Sequence, residues 1–208
     1  MKTGGTGGAN TNHNGLTFEK KTDLAAHIVQ DLSTKYDLRP HIFSKKVPIH
    51  SSLAVFDVIR LIDQKSIGII SKKQQFYNIM YEHYNVKNIN YKQWEPDETF
   101  FNFETNTIFI VEKKWQNHTG STDEKIFGFG NKRRLYQNNF NQLQLEPKPT
   151  VSFAALFNSS WWLYGLKTKP TGNLTSLPQK NYQDYFDALR MDGIKIFFDD
   201  YDYWWFGL

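Results

Sequence analysis

The chain has 208 residues, 39% hydrophobic and 16% aromatic, which suits one packed domain with room for a small appended subdomain. There is no cysteine, which excludes disulfide scaffolds, zinc–thiolate sites and thiol catalysis. No apolar run reaches the roughly 18 residues of a membrane helix. The formal charge of +4, with a pI of about 9.0, is mildly basic, and the basic residues come in local groups at Lys45-Lys46, Lys72-Lys73, Lys113-Lys114 and Lys132-Arg133-Arg134.

Residues 1–15 are rich in Gly and Asn and read as a loop. They lack the apolar core of a secretory signal, so a cytoplasmic location is expected. No Gly-Lys-Ser/Thr follows them and no complete GxGxxG is present, so they carry no phosphate-loop motif. Helical periodicity starts at Leu16 and runs to about Tyr36, with Leu24, Ala25, Ile28, Val29 and Leu32 in one stripe. After a loop bracketed by Pro40 and Pro48, Ser51 or Ser52 is placed to cap a second helix carrying Phe56, Ile59 and Leu61-Ile62. A third helix is predicted from Ser71 to Tyr84.

From Asp97 the pattern becomes β-like: two aromatic and β-branched runs flank a turn at Phe103-Glu-Thr-Asn106. Ser121-Thr-Asp-Glu124 is a capping box that predicts a fourth helix. Val151–Phe157 reads as a buried strand, Tyr182–Met191 as a helix with Gly193 past its end, and Ile194–Phe198 as a last strand. The resulting fold class is α/β (α+β-like), a mixed central sheet flanked by helices.

The hairpin, PDETFFNFETNTIFIVEKKWQ over residues 96–116, carries the chemistry. If the turn is centred between Glu104 and Thr105, opposed residue numbers sum to 209 and Asp97 faces Glu112. Opposed residues share a face, with Cβ atoms about 5 Å apart, and Lys114 joins them because side chains alternate with period 2. Two carboxylates offer hard oxygen ligands to Mg²⁺ or Mn²⁺, and a lysine beside them can orient water or neutralise a phosphate. A cross-strand ion pair with Lys114 as counter-ion fits the same spacing. Both faces of the Ile108–Val111 run are apolar, which predicts a covered central strand. Charges where such a strand emerges are costly unless they are paired or hold a metal.

Pro96-Asp97, then fourteen residues, then Glu112-Lys-Lys114 resemble the PD-(D/E)XK nuclease motif. The blocks Gly8-Ala-Asn-Thr-Asn-His-Asn-Gly-Leu-Thr-Phe-Glu19, Phe109-Ile-Val-Glu-Lys-Lys-Trp-Gln116 and Gly120-Ser-Thr-Asp-Glu-Lys125 are similar to those of a group of type II restriction endonucleases, over about a third of the chain. The resemblance implies a single nuclease domain over 1–208 with a restriction-endonuclease-like fold. It also implies Mg²⁺-dependent cleavage of double-stranded DNA at a short sequence, with Mn²⁺ as a substitute and a homodimer as the working form. Asp97 and Glu112 would hold the metal, Lys114 would position the water, and Gln116 and Glu19 would assist. Glu98, expected on the opposite face, is the fallback if the register shifts by one.

Lys132, Arg133 and Arg134, and the Asn10 and Asn12 region of the glycine-rich start, are the candidate DNA contacts; a solvated basic face and a frayed terminus are the bland readings. Trp161-Trp162 and Trp204-Trp205 read as core or interface. A structure-specific repair or recombination nuclease of the same superfamily, and a non-catalytic DNA-binding protein, are the rival functions.

Overall fold

A computed structural model describes residues 7–117, 122–144, 146–168, 174–176 and 182–208; side chains are described from residue 13 on within these ranges, except 123, 167, 168 and 174–176. Helices α1 (Gly7–Lys21) and α2 (Leu24–Asp31) precede strands β1 (Tyr36–Pro40), β2 (Phe56–Arg60) and β3 (Lys65–Ser71). Helix α3 (Gln75–Tyr84) leads to the hairpin β4 (Glu98–Asn102) and β5 (Thr107–Lys114). A short α4 (Thr122–Lys125) and a 3-10 turn run into α5 (Phe129–Asn141), followed by β6 (Thr150–Phe157) and α6 (Ser159–Trp162). A two-stranded ribbon, β7 (Leu166–Thr168) and β8 (Leu174–Ser176), precedes α7 (Gln183–Met191), β9 (Ile194–Phe198) and a 3-10 turn at Tyr203–Phe206.

The main sheet has seven strands in the order β1-β2-β3-β4-β5-β6-β9. Strands β1 to β5 form an antiparallel meander, whereas β5, β6 and β9 are parallel. Parallel neighbours need crossovers, and α5 and α7 supply them. The chain is therefore a mixed α/β sheet with both faces covered. Helices α3, α5 and α7 bury Phe76, Tyr136, Phe140 and Phe186 against Ile108, Ile110 and Phe153. On the other face α1, α2 and the C-terminal turn bury Phe18, Leu24, Ile28 and Phe206 against Phe109, Val111 and Leu156. The expected covered central strand is β5, whose odd and even residues feed the two cores.

Several sequence expectations are corrected. The glycine-rich start is helical from Gly7, so Asn10 and Asn12 sit in α1 and not in a loop; their side chains lie outside the described residues. Composition disfavours a helix there, but propensity is worth less than about 1 kcal/mol per residue and is readily overridden. The helix predicted over Leu16–Tyr36 breaks at Thr22-Asp23, where Asp23 caps α2 by accepting from the Ala26 N–H at 3.1 Å. The helix predicted after Ser51 is instead the β2–β3 hairpin: Val58, Ile67, Ile69 and Ile70 are buried, while Ile62 is 90% exposed at the turn. Gln64 takes the left-handed conformation there, φ 56°. The third helix begins at Gln75, because Ser71 still belongs to β3. The capping-box Ser121 lies outside the described residues, and its expected helix is divided between α4 and α5.

Candidate active site

Hairpin register determines the site. Glu98 pairs with Val111 and Thr99 with Ile110, so opposed numbers sum to 209 as expected. Asp97 immediately precedes β4, and its Oδ2 accepts the Lys113 backbone N–H at 2.7 Å, which ties it across the hairpin. The Lys114 ammonium stands between the two acids, 2.9 Å from Glu112 Oε2 and 3.4 Å from Asp97 Oδ2. All three lie where β5 leaves the sheet beside its parallel neighbour β6, the edge at which α/β folds usually bind ligands.

Two further lysines complete the cluster. Lys73 contacts Asp97 Oδ1 and lies 3.5 Å from Glu19 Oε2, which links the α1 glutamate to the site. Lys73 has a left-handed backbone, φ 50°, and its N–H donates to Pro96 O at 2.8 Å. Such a conformation costs a non-glycine residue about 1–2 kcal/mol, and it recurs at functional sites. Lys132 on α5 places Nζ 3.1 Å from Glu112 Oε1 and above the Trp94 and Phe129 rings, at 5.0 and 5.7 Å. Burial works against the Lys114 charge, but Glu112 and Asp97 outweigh it and hold the ammonium well above the usual lysine range. Burial likewise pushes the Asp97 carboxyl up, but Lys114 and Lys73 outweigh it and keep it below its ordinary value.

The remaining predicted residues separate. Gln116 is buried just past β5, where it exchanges backbone hydrogen bonds with the Asn158 side chain at 2.8 and 2.9 Å. Of the basic triplet, only Lys132 reaches the acids. Arg133 donates to Gly193 O at 3.2 Å, and Arg134 lies 3.6 Å from Asp192. Trp161 and Trp162 are buried as expected; Trp204 is 69% exposed.

Glu98 is on the opposite face, as expected, but in an unforeseen role. It is 1% exposed, accepts the Leu24 N–H at the start of α2 at 2.9 Å and the Tyr201 hydroxyl at 2.7 Å, and lies 3.1 Å from Lys113 Nζ. Lys113 also donates to Glu19 O at 3.0 Å. This second network binds α1 and α2 to the hairpin and thereby positions Glu19 beside Asp97. Sequence reasoning missed Lys72 and Lys73 as site-side residues, because only the pairing of β3 with β4 brings them to Glu98 and Asp97.

Two clefts approach the acids. One of about 650 Å³ is lined by Trp94, Lys114, Phe129 and Lys132. The other, about 260 Å³, is lined by Glu19, Lys73, Asp97 and Glu98. The donor set suits a hard divalent cation: oxygens from Asp97 and Glu112 converge on one point, now held by Lys114 Nζ. Glu112 Oε1 is buried and makes no hydrogen bond, and its near charge is the Lys132 ammonium at 3.1 Å. A cation placed between the acids would take the place of Lys114 Nζ against Glu112 Oε2 and Asp97 Oδ2. No known family model, no curated protein and no solved structure matches the chain.

Proposed function

We propose that this chain is a Mg²⁺-dependent endonuclease that hydrolyses phosphodiester bonds of double-stranded DNA at a short specific sequence, in the manner of the type II restriction endonucleases it resembles. One observation carries the reading: at the end of a covered strand the Lys114 ammonium lies within 3.4 Å of both the Asp97 and the Glu112 carboxylates. In this reading Asp97 and Glu112 hold the divalent cation, Mg²⁺ or Mn²⁺. A cation bound there would supply charge neutralisation at the phosphate and a more acidic attacking water. Lys114, kept protonated by its two acids, positions that water and neutralises a phosphate oxygen. Glu19 and Lys73 orient Asp97 from the α1 side, and Lys132 meets the DNA backbone through the wider cleft. A homodimer acting on a palindromic site, in the cytoplasm, completes the proposal. Among the described residues no helix is long and apolar enough to cross a membrane.

A second reading is favoured by the lysines themselves. Lys73, Lys114 and Lys132 approach Asp97 and Glu112 closely enough for the cluster to be a structural ion network in a non-catalytic DNA-binding protein. Incubation of the purified protein with several plasmids and Mg²⁺ separates the cases. Discrete, reproducible fragments support the proposal. Smears or junction-specific cuts point to a structure-specific nuclease, and intact DNA points to the non-catalytic reading.

A further inference from the structure

A second group of ligating side chains lies where β1 ends against the last turn of α3. His41 follows β1 directly, and its backbone N–H donates to Val55 O at 2.9 Å. Its ring is 8% exposed, with Nδ1 2.9 Å from Asp57 Oδ1 and Nε2 2.7 Å from Glu82 Oε2. Glu82 is itself held, because its other oxygen accepts the Ser44 N–H at 2.6 Å and the Ser44 hydroxyl at 2.8 Å. His83 Nε2 turns to the same Glu82 Oε2 at 3.9 Å, with its ring against Phe103 at 4.7 Å.

The arrangement has a physical logic. A carboxylate on one imidazole nitrogen fixes the proton there and presents the other nitrogen as a donor, the support found behind metal-bound histidines. With Asp57 holding Nδ1–H, the Nε2 lone pair of His41 faces a carboxylate oxygen, which repels it unless a proton or a cation lies between. A proton bridge uses two donors. Here a third, His83 Nε2, converges as well, and all three lie within 4.8 Å of one another.

We propose that His41 Nε2, Glu82 Oε2 and His83 Nε2 bind a first-row transition cation such as Zn²⁺, with Asp57 and Ser44 as the groups that hold the ligands in place. Two imidazoles and one carboxylate suit Zn²⁺, Co²⁺ or Ni²⁺ better than Mg²⁺, and three protein ligands leave a fourth position for water. Tetrahedral coordination at about 2.0–2.2 Å sets donors roughly 3.3 Å apart. The His41–Glu82 pair must open slightly and His83 must close in; with a third of its side chain exposed, His83 has room to do so. The site does not depend on the nuclease reading, since its residues belong to the loop after β1, to β2 and to α3, and not to the catalytic hairpin.

The test is a Co²⁺ titration of the full chain carrying Asp97→Asn and Glu112→Gln, which remove the hairpin site, and His27→Ala, which removes the group His27, Asp31 and Asp200. The expected result is one equivalent bound, with visible absorption bands of nitrogen–oxygen coordination, displacement by Zn²⁺ and a higher melting temperature. His83→Ala should weaken binding at least tenfold while leaving the metal-free melting temperature in place, and Asp57→Asn should weaken it about 10–100-fold. Absent bands and an unchanged melting temperature at millimolar metal would overturn the assignment, as would a His83→Ala chain that binds like its parent.

Discussion

Asp97 and Glu98 are adjacent acids with opposite consequences, and Glu98→Gln is the sharper test of the architecture. Glu98 and Lys113 form an ion pair at 3.1 Å with side chains 1% and 2% exposed. The Glu98 carboxylate also accepts from Leu24 N–H and Tyr201 Oη, with Lys72 Nζ 3.4 Å away. Glutamine keeps the shape but removes the charge and turns an amide donor toward one of these donors. Breaking a buried pair leaves an uncompensated charge at a cost of about 3–5 kcal/mol. At about 2–4 °C per kcal/mol for a domain of this size, the melting temperature should fall by about 6–20 °C. Circular dichroism during heating, with urea unfolding as a second probe, measures it. The additional change Lys113→Met should restore part of the loss, because an apolar replacement removes the stranded charge. A Glu98→Gln chain that melts within about 2 °C of the parent would refute the reasoning.

Other expectations follow from the same geometry. Lys114→Ala should reduce Mg²⁺-dependent cleavage by about 10²–10⁴-fold while DNA binding, followed by gel shift, is retained. The Asp97 carboxyl, which Lys114 and Lys73 hold below 3.8 against the upward push of burial, binds fewer protons folded than unfolded. Its contribution to stability is therefore present above the unfolded value of 3.8 and is lost as pH falls below it through the lowered folded value, so Asp97→Asn should flatten the acid limb of the stability profile in urea titrations. Gly68→Ala places a Cβ 2.2 Å from Phe101 O and 2.6 Å from Phe100 Cε2, and should cost about 1–3 kcal/mol by urea unfolding. Lys132→Ala should lower the salt dependence of DNA binding by about one phosphate contact, whereas Arg134→Ala, at the Asp192 turn, should leave it unchanged.

The hairpin was legible because strand periodicity is 2 and its turn centre is marked, so a sum rule placed Asp97, Glu112 and Lys114 together. The apolar run Ile108–Val111 correctly announced a strand covered on both faces. Strand β6, helix α7 and strand β9 were legible for similar reasons, with Gly193 in the left-handed conformation past α7, φ 72°. The β2–β3 hairpin was misread because Phe56, Ile59 and Ile62 repeat every three residues, and a short apolar run does not separate helix from strand by period alone. The usable signal was the pair of β-branched runs, Val58-Ile59 and Ile67–Ile70, on either side of Asp63-Gln64. The lysines around the acids were illegible for a different reason. Lys73 and Asp97 are 24 residues apart and meet only through the pairing of β3 with β4, and Lys132 arrives on the α5 crossover.

The central claim is that Asp97, Glu112 and Lys114 form a metal-dependent phosphodiesterase site. Sequencing the ends of DNA digested with Mg²⁺ by the parent chain and by Asp97→Asn tests it most directly. The account predicts ends at one recurrent sequence with a fixed stagger from the parent, and none from the variant. Identical ends from both proteins, or no ends from either, would contradict it, whereas scattered ends that the variant loses would contradict the sequence specificity alone.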